Sequence, residues 1–166
     1  EIMFGLNMVV HKGKTIFVGD TSVHEYPTSE QMAEIAISTA RVVRLFGFNP
    51  KVAFVSHSTF GQPLTSRTKH IRKAVDILKE KKVDFEFDGD MQPDVALSLE
   101  YEELYPFSKI VGKANILIMP GQHSAAISYK MMKTLGDTKV IGPLLIGLGL
   151  PVEIAPLRTS TSEIIN

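Results

Sequence analysis

Cysteine does not occur in these 166 residues. That excludes a disulfide framework, a thiolate zinc site and a cysteine nucleophile, and it is compatible with a cytoplasmic location. Net charge is also missing, because 18 basic and 18 acidic side chains cancel. No long-range field then favours nucleic acid or an anionic membrane, so neither is expected as a partner. No apolar run approaches the roughly 18 residues of a membrane span. The opening stretch "EIMFGLNMVV" lacks the basic start and small-residue cleavage site of a signal peptide, and it lacks an initiator Met. Both nucleotide fingerprints fail as well. Gly142, Gly147 and Gly149 do not form G-x-G-x-x-G, and G-x-x-x-x-G-K-[ST] occurs nowhere. What is present is ordinary globular usage, with 44% hydrophobic and 22% charged residues, enough for one domain with a real core.

Strands and helices alternate along the chain. "MFGLNMVV" and "TIFV" flank "HKGK" and predict an antiparallel hairpin. Thr28, with Gln31 three residues on, caps a helix whose inner stripe is Met32, Ile35, Ala36, Ala40 and Val43; Gly47 and Pro50 end it. "VAFV" is a short apolar run of the kind a strand buried on both faces requires. Ser66 opens a second helix with Ile71, Ala74, Val75 and Leu78 inward, its basic outer face being most simply a solvated surface. "FEF", "NILIM" and "KVIG" predict further strands, separated by a broken helical stretch over Pro93 to Leu104 and a helix over Ser124 to Leu135. Strands joined by helical crossovers make a three-layer α/β/α sandwich with a mainly parallel sheet. Met8, Met91, Met119, Met131 and Met132 serve most simply as core filler.

In such sheets ligands bind outside the carboxyl ends of the strands. The segments to examine are "SHSTFGQP", "DGDMQPD", "PGQHSAA" and "GPLLIGLGLP". Neighbours on an extended chain point to opposite faces, which argues against a Ser56–His57 catalytic pair and for a loop that hydrogen-bonds a ligand or its own backbone. Asp88, Asp90 and Asp94 resemble part of a calcium loop but lack its central Gly and later Glu, so no metal is expected and a turn with a helix cap explains them. Ser124, after Gly121, either cradles a phosphate with free backbone N–H groups or only caps a helix. His123 reads as a polar loop residue. Ser160 to Glu163 form a capping box three residues before the last residue, as though a helix begins where the sequence stops.

"DGDMQPDVAL", "VGKANILIMPGQHSAAISYKMMKTLG" and "VIGPLLIGLGLPVEI" resemble, in order and spacing, the signature of the phosphate acetyltransferase (phosphate acetyl/butyryl transferase) family. "KVAFVSHSTFG" and "PTSEQMAEIAISTARVVRLFG" extend the similarity over nearly the whole chain. The resemblance implies an isocitrate/isopropylmalate dehydrogenase-like fold, of which residues 1–166 are a carboxy-terminal part cut from a longer multidomain chain. It also implies an Asp that takes the thiol proton of coenzyme A, and an adjacent Ser and Arg that neutralise developing charge. Alignment on "LPVEI" and "EIIN" puts Pro156 at the Ser position, Leu157 at the Arg position and Glu163 at the Asp position. Arg158 lies one residue away, and on an extended segment that shift reverses its face.

Those departures, with "SHSTFG" and "DGDMQPDVALS", are more similar to the carboxy-terminal phosphotransacetylase-like domain of bacterial NADP-dependent malic enzymes. This resemblance implies a regulatory, oligomerising module that binds acetyl-CoA as effector and has no catalytic residues of its own. It would be joined to an amino-terminal malic-enzyme domain using NADP and a divalent metal (Mg or Mn). The alternative is an active acetyl or butyryl transferase. Expected ligand contacts are Ser56, Ser58, Thr59, Ser124, Arg158 and Glu163.

Overall fold

Two strands joined by a two-residue turn come first: β1 (Phe4–His11) and β2 (Lys14–Gly19). Lys12 and Gly13 both have positive φ, 48° and 75°, the geometry that matches the twist of a tight hairpin. The structure is a computed structural model that describes residues 2–157 and 159–165, the side chains of 162 and 163 excepted. The helix α1 (Ser29–Leu45) begins with the predicted capping box. Thr28 Oγ1 accepts the Gln31 N–H at 3.1 Å, and Gln31 Oε1 accepts the Thr28 N–H at 2.8 Å. After β3 (Lys51–Val55), α2 (Ser66–Lys81) opens at Ser66 as the sequence suggested, and Thr65 rather than Ser66 caps it. The reason is reciprocity: Thr68 Oγ1 accepts the Thr65 N–H at 2.7 Å, whereas Ser66 has Lys69 three residues on, which has no acceptor.

The remaining elements are β4 (Glu86–Met91), α3 (Pro93–Leu97), β5 (Ile116–Ile118), α4 (Gln122–Leu135), β6 (Thr138–Ile146), β7 (Val152–Glu153) and α5 (Thr161–Ile165). The last of these is the helix announced by the capping box, and the Ile164 N–H donates to Ser160 O at 3.2 Å. The strands form one sheet in the order β4-β3-β5-β2-β1-β6-β7. From β4 to β2 the neighbours are parallel, as the crossovers demand. From β2 onward they are antiparallel, because the hairpin reverses β1 and β6 returns beside it. The sheet is thus mixed, with its parallel half carrying the crossover helices.

Side chains alternate between the two faces of the sheet. Phe17, Val52, Phe54, Ile116 and Ile118 point toward α1 and α2, where they meet Met32, Ile35, Ile71 and Leu78. Val18, Ala53, Val55, Leu117 and Met119 point the other way, toward Ala96 of α3 and Ala125 of α4. Three layers result, as the sequence implied. Met91 and Met119 are buried and Met8 and Met132 pack partly, but Met131 is 54% exposed and fills no core. Among the described residues no helix is long and apolar enough to cross a membrane.

The basic outer face of α2 is exposed, as the sequence suggested, and it is also tied to α1 by Lys73–Glu30 at 2.7 Å and Lys81–Glu34 at 3.0 Å. The Lys73 hydrogen bond is the main cause holding Glu30 down at about 2, against an ordinary 4.5. A depressed carboxylate stabilises the fold fully above its unfolded value and loses that contribution as pH falls through its folded value. In an NMR titration the Glu30 carboxyl is therefore expected to titrate near pH 2, and to return toward 4.5 in Lys73→Met. An unchanged midpoint in that variant would remove Lys73 as the cause.

Candidate functional site

Two buried aspartates shape the loops at the carboxyl ends of the parallel strands. Asp20, 2% exposed, follows β2 and gathers the loop after it around one carboxylate. Its Oδ1 accepts the N–H groups of Gly5, Ser22 and Val23 at 2.9, 2.8 and 3.1 Å. Its Oδ2 accepts the His24 N–H at 2.7 Å and meets His24 Nδ1 at 2.6 Å. An ionised carboxylate only accepts, so Nδ1 carries the proton of that contact. Asp90, fully buried in β4, does the same for the loop after β3. It accepts the Ser58 hydroxyl and, at 3.0 Å, the Gly61 N–H, with Arg72 Nη1 at 3.8 Å.

Between these loops lies a cleft of about 450 Å³, within the usual range for small-molecule sites. Its floor is apolar: Val55 at the end of β3, Ile71 of α2, Met119 and Pro120 after β5. Its rim is polar and comes from three places: Ser56 and His57, Arg67 of α2, and His123, Ser124 and Ser128 of α4. Glu25 and Tyr26 close one side. Glu25 Oε1 lies 3.0 Å from His123 Nε2, and the Arg67 guanidinium sits 5.2 Å from the Tyr26 ring centroid. The loop approaches α4 closely enough that a Cβ on Gly121 would stand 2.3 Å from Glu25 O, so only glycine fits at that edge.

The predicted ligand residues divide. Ser56 and Ser124 both line the cleft. Ser124 Oγ donates to Gly121 O at 2.8 Å from within the first turn of α4, which opens at Gln122 with Gly121 at its cap position and no side-chain cap bond, so Ser124 does not cap the helix. Ser58 and Thr59 are buried and turned into the loop. Ser58 serves Asp90, and Thr59 Oγ1 accepts the Gln92 N–H at 3.2 Å. Ser56 Oγ lies 3.4 Å from Ser58 Oγ, and no Ser56–His57 hydrogen bond occurs among the described residues. Arg158 and the side chain of Glu163 lie outside the described residues. Pro156 and Leu157 are exposed, and Pro156 borders a separate cavity of about 180 Å³ that shares no residue with the cleft.

The Asp88, Asp90 and Asp94 carboxylates do not converge. Asp88 accepts the N–H groups of Gly89 and Lys109 at 2.9 and 2.7 Å. Asp94 accepts the Tyr101 hydroxyl at 3.2 Å, which holds that phenol above its usual range. Sequence reasoning missed Asp20, Arg67 and Ser128. Asp20 had one usable signal, an acid placed directly after a strand and before a run of turn residues.

A mixed sheet between helical layers, with a cleft outside the carboxyl ends of its parallel strands, defines an α/β domain of the kind that holds small molecules. The model of the phosphate acetyl/butaryl transferase family matches residues 1–166, and the chain belongs to that family. It is 45% identical over 164 residues to the NADP-dependent malic enzyme of Rhizobium meliloti (strain 1021), covering 99% of this chain and 22% of that protein. Against the phosphate acetyltransferase of Buchnera aphidicola subsp. Schizaphis graminum (strain Sg) the identity is 37% over 166 residues, covering 99% and 23%. A phosphotransacetylase crystal structure from Streptococcus pyogenes superposes with a TM-score of 0.91 at 30% identity, covering 99% of this chain and 51% of that one. The chain thus spans about a fifth of these two curated relatives and about half of the solved one.

Proposed function

We propose that this chain is a regulatory and oligomerising module of a cytoplasmic NADP-dependent malic enzyme, and that it binds acetyl-CoA without transferring the acetyl group. The observation that carries this reading is the pair Pro156 and Leu157, standing where the family resemblance implies a Ser and an Arg. Neither offers a side-chain donor, and losing one oxyanion-type donor typically costs ~3 kcal/mol of transition-state stabilisation. The cleft gives a small ligand an apolar floor and a polar rim, and Ile127, Met131 and Leu135 form an exposed apolar stripe on α4 that suits subunit contacts.

Oxidative decarboxylation of malate to pyruvate would belong to the parent protein, in an amino-terminal domain outside these residues. NADP would accept the hydride there and a divalent ion, Mg or Mn, would polarise the substrate carbonyl. The described residues do not fit the divalent ion. Among the described residues no three His, Asp or Glu side chains gather around one point, and Asp88 and Asp90 direct their oxygens at loop N–H groups.

The test uses the full-length protein. Calorimetry is expected to show acetyl-CoA binding, while a coupled assay shows no CoA-dependent loss of acetyl phosphate above the protein-free rate. Turnover that disappears in Glu163→Gln would replace this reading with an active acyltransferase. Absence of acetyl-CoA binding, together with loss of oligomers when residues 1–166 are deleted, would leave a purely structural module.

A further inference from the structure

A second cavity, of about 250 Å³, is built from α3 and the loop that joins it to β5, and it shares no lining residue with the cleft. Its floor is apolar: Met91, Val95, Ala96 and Ile110. Tyr101, Glu102 and Tyr105 line it as well, and no Lys, Arg or His does. Acids hold the loop in shape. The Val111 N–H donates to Glu86 Oε2 and the Gly112 N–H to Glu102 Oε1, both at 2.8 Å, and the Lys109 N–H donates to Asp88 Oδ2 at 2.7 Å. Glu102 thus spends one oxygen on the loop, and no hydrogen bond to its Oε2 occurs among the described residues. The Tyr105 N–H donates to Tyr101 O at 3.0 Å, a single helical turn that sets both phenols on one side of the segment. Lys51 approaches the Gly112 edge, but its ammonium donates to Val111 O and lies 3.4 Å from Glu86. The Tyr101 phenol is raised above its usual range first by the Asp94 hydrogen bond, then by the Asp94 charge, with a smaller push from Glu100, so the potential at this edge is negative.

We propose that this cavity binds a small organic cation, a primary ammonium carrying an uncharged apolar arm. The ammonium donates to Glu102 Oε2 and rests against the Tyr101 and Tyr105 rings, whose π faces attract cations. The Tyr101 hydroxyl is already committed to Asp94 at 3.2 Å, so the ring is what that residue has left to offer. The arm lies on Val95, Ala96 and Ile110. An anionic head would meet a carboxylate and find no side-chain cation in the lining, so the charge preference is opposite to that of an acyl-CoA. The volume stands just below the usual range for small-molecule sites, which keeps the occupant small. The inference does not depend on the sensor role proposed for the cleft.

The experiment titrates the full-length protein with 2-phenylethylammonium and with its uncharged counterpart 2-phenylethanol, followed by saturation-transfer NMR, for wild type, Glu102→Gln and Glu103→Gln. Glutamine keeps an acceptor for the Gly112 N–H, so the loop is expected to hold while the charge is lost. Glu103 is an exposed acid on the same segment that does not line the cavity. The ammonium is expected to bind about tenfold more tightly than the alcohol, and Glu102→Gln to remove most of that difference while Glu103→Gln leaves it. Equal affinity for the two probes in wild type would overturn the assignment. So would no binding of the ammonium, or binding that Glu102→Gln leaves unchanged, which would put the amine elsewhere in the protein. Equal losses in the two variants would replace a site with a diffuse negative surface and overturn it as well.

Discussion

Replacing Asp20 by alanine is expected to remove about 3–5 kcal/mol of folding stability, because it deletes a buried acceptor and strands the groups that point at it. Four backbone N–H groups and the His24 ring converge on this carboxylate. Among them the Gly5 N–H is fully inside, so no water replaces the lost oxygen there. Asp20→Asn keeps one acceptor oxygen and is expected to fall between wild type and the alanine variant. Urea denaturation at neutral pH gives the free energies, and hydrogen exchange at Gly5 locates the damage. A loss below about 1 kcal/mol would mean the loop is held by something other than this carboxylate. The same loop supplies Glu25 and Tyr26 to the cleft, so the acetyl-CoA binding proposed above would weaken with it.

Phe54→Ala carries a comparable expected cost, about 3–5 kcal/mol, for a different reason. Phe54 is fully buried in β3 and faces the layer made by α1 and α2. Its neighbour on β4 is Gly89, whose missing Cβ would stand 2.7 Å from Phe54 O and 2.8 Å from Phe54 Cβ. No side chain is available at that position to lean into the space an alanine leaves. The cavity therefore stays open, and the cost is expected at the upper part of the range. Phe54→Leu keeps most of the volume and should lose much less. Chemical denaturation of both variants checks this, and equal losses would show that shape rather than volume sets the cost.

Local signals carried the architecture well. The hairpin turn, the Thr28–Gln31 box and the 3.6-residue stripes of α1 and α2 are set by neighbours in sequence, and each appears where the pattern put it. Pairing of β6 with β1 is not local, and nothing in "KVIG" specifies that its partner lies at the other end of the chain. The site was read less completely, because burial of a loop hydroxyl depends on which acid waits beneath it. Ser56 and Ser58 look alike in "SHST", yet one opens on the cleft and the other is consumed by Asp90, some thirty residues further along. Arg67 was hidden by its surroundings: five other basic residues within α2 made a solvated stripe the simpler explanation.

The place of β1 in the sheet has a kinetic consequence. Leu6 is hydrogen-bonded into register with Gly19 on one side and Leu144 on the other. Its first neighbour forms almost at once, but its second has to be brought back across most of the polypeptide, at the entropic expense of closing a very long loop. The last seam to close during refolding should therefore be the one that joins the two ends of the sequence, with β6 and β7 gaining amide protection after the parallel strands have theirs.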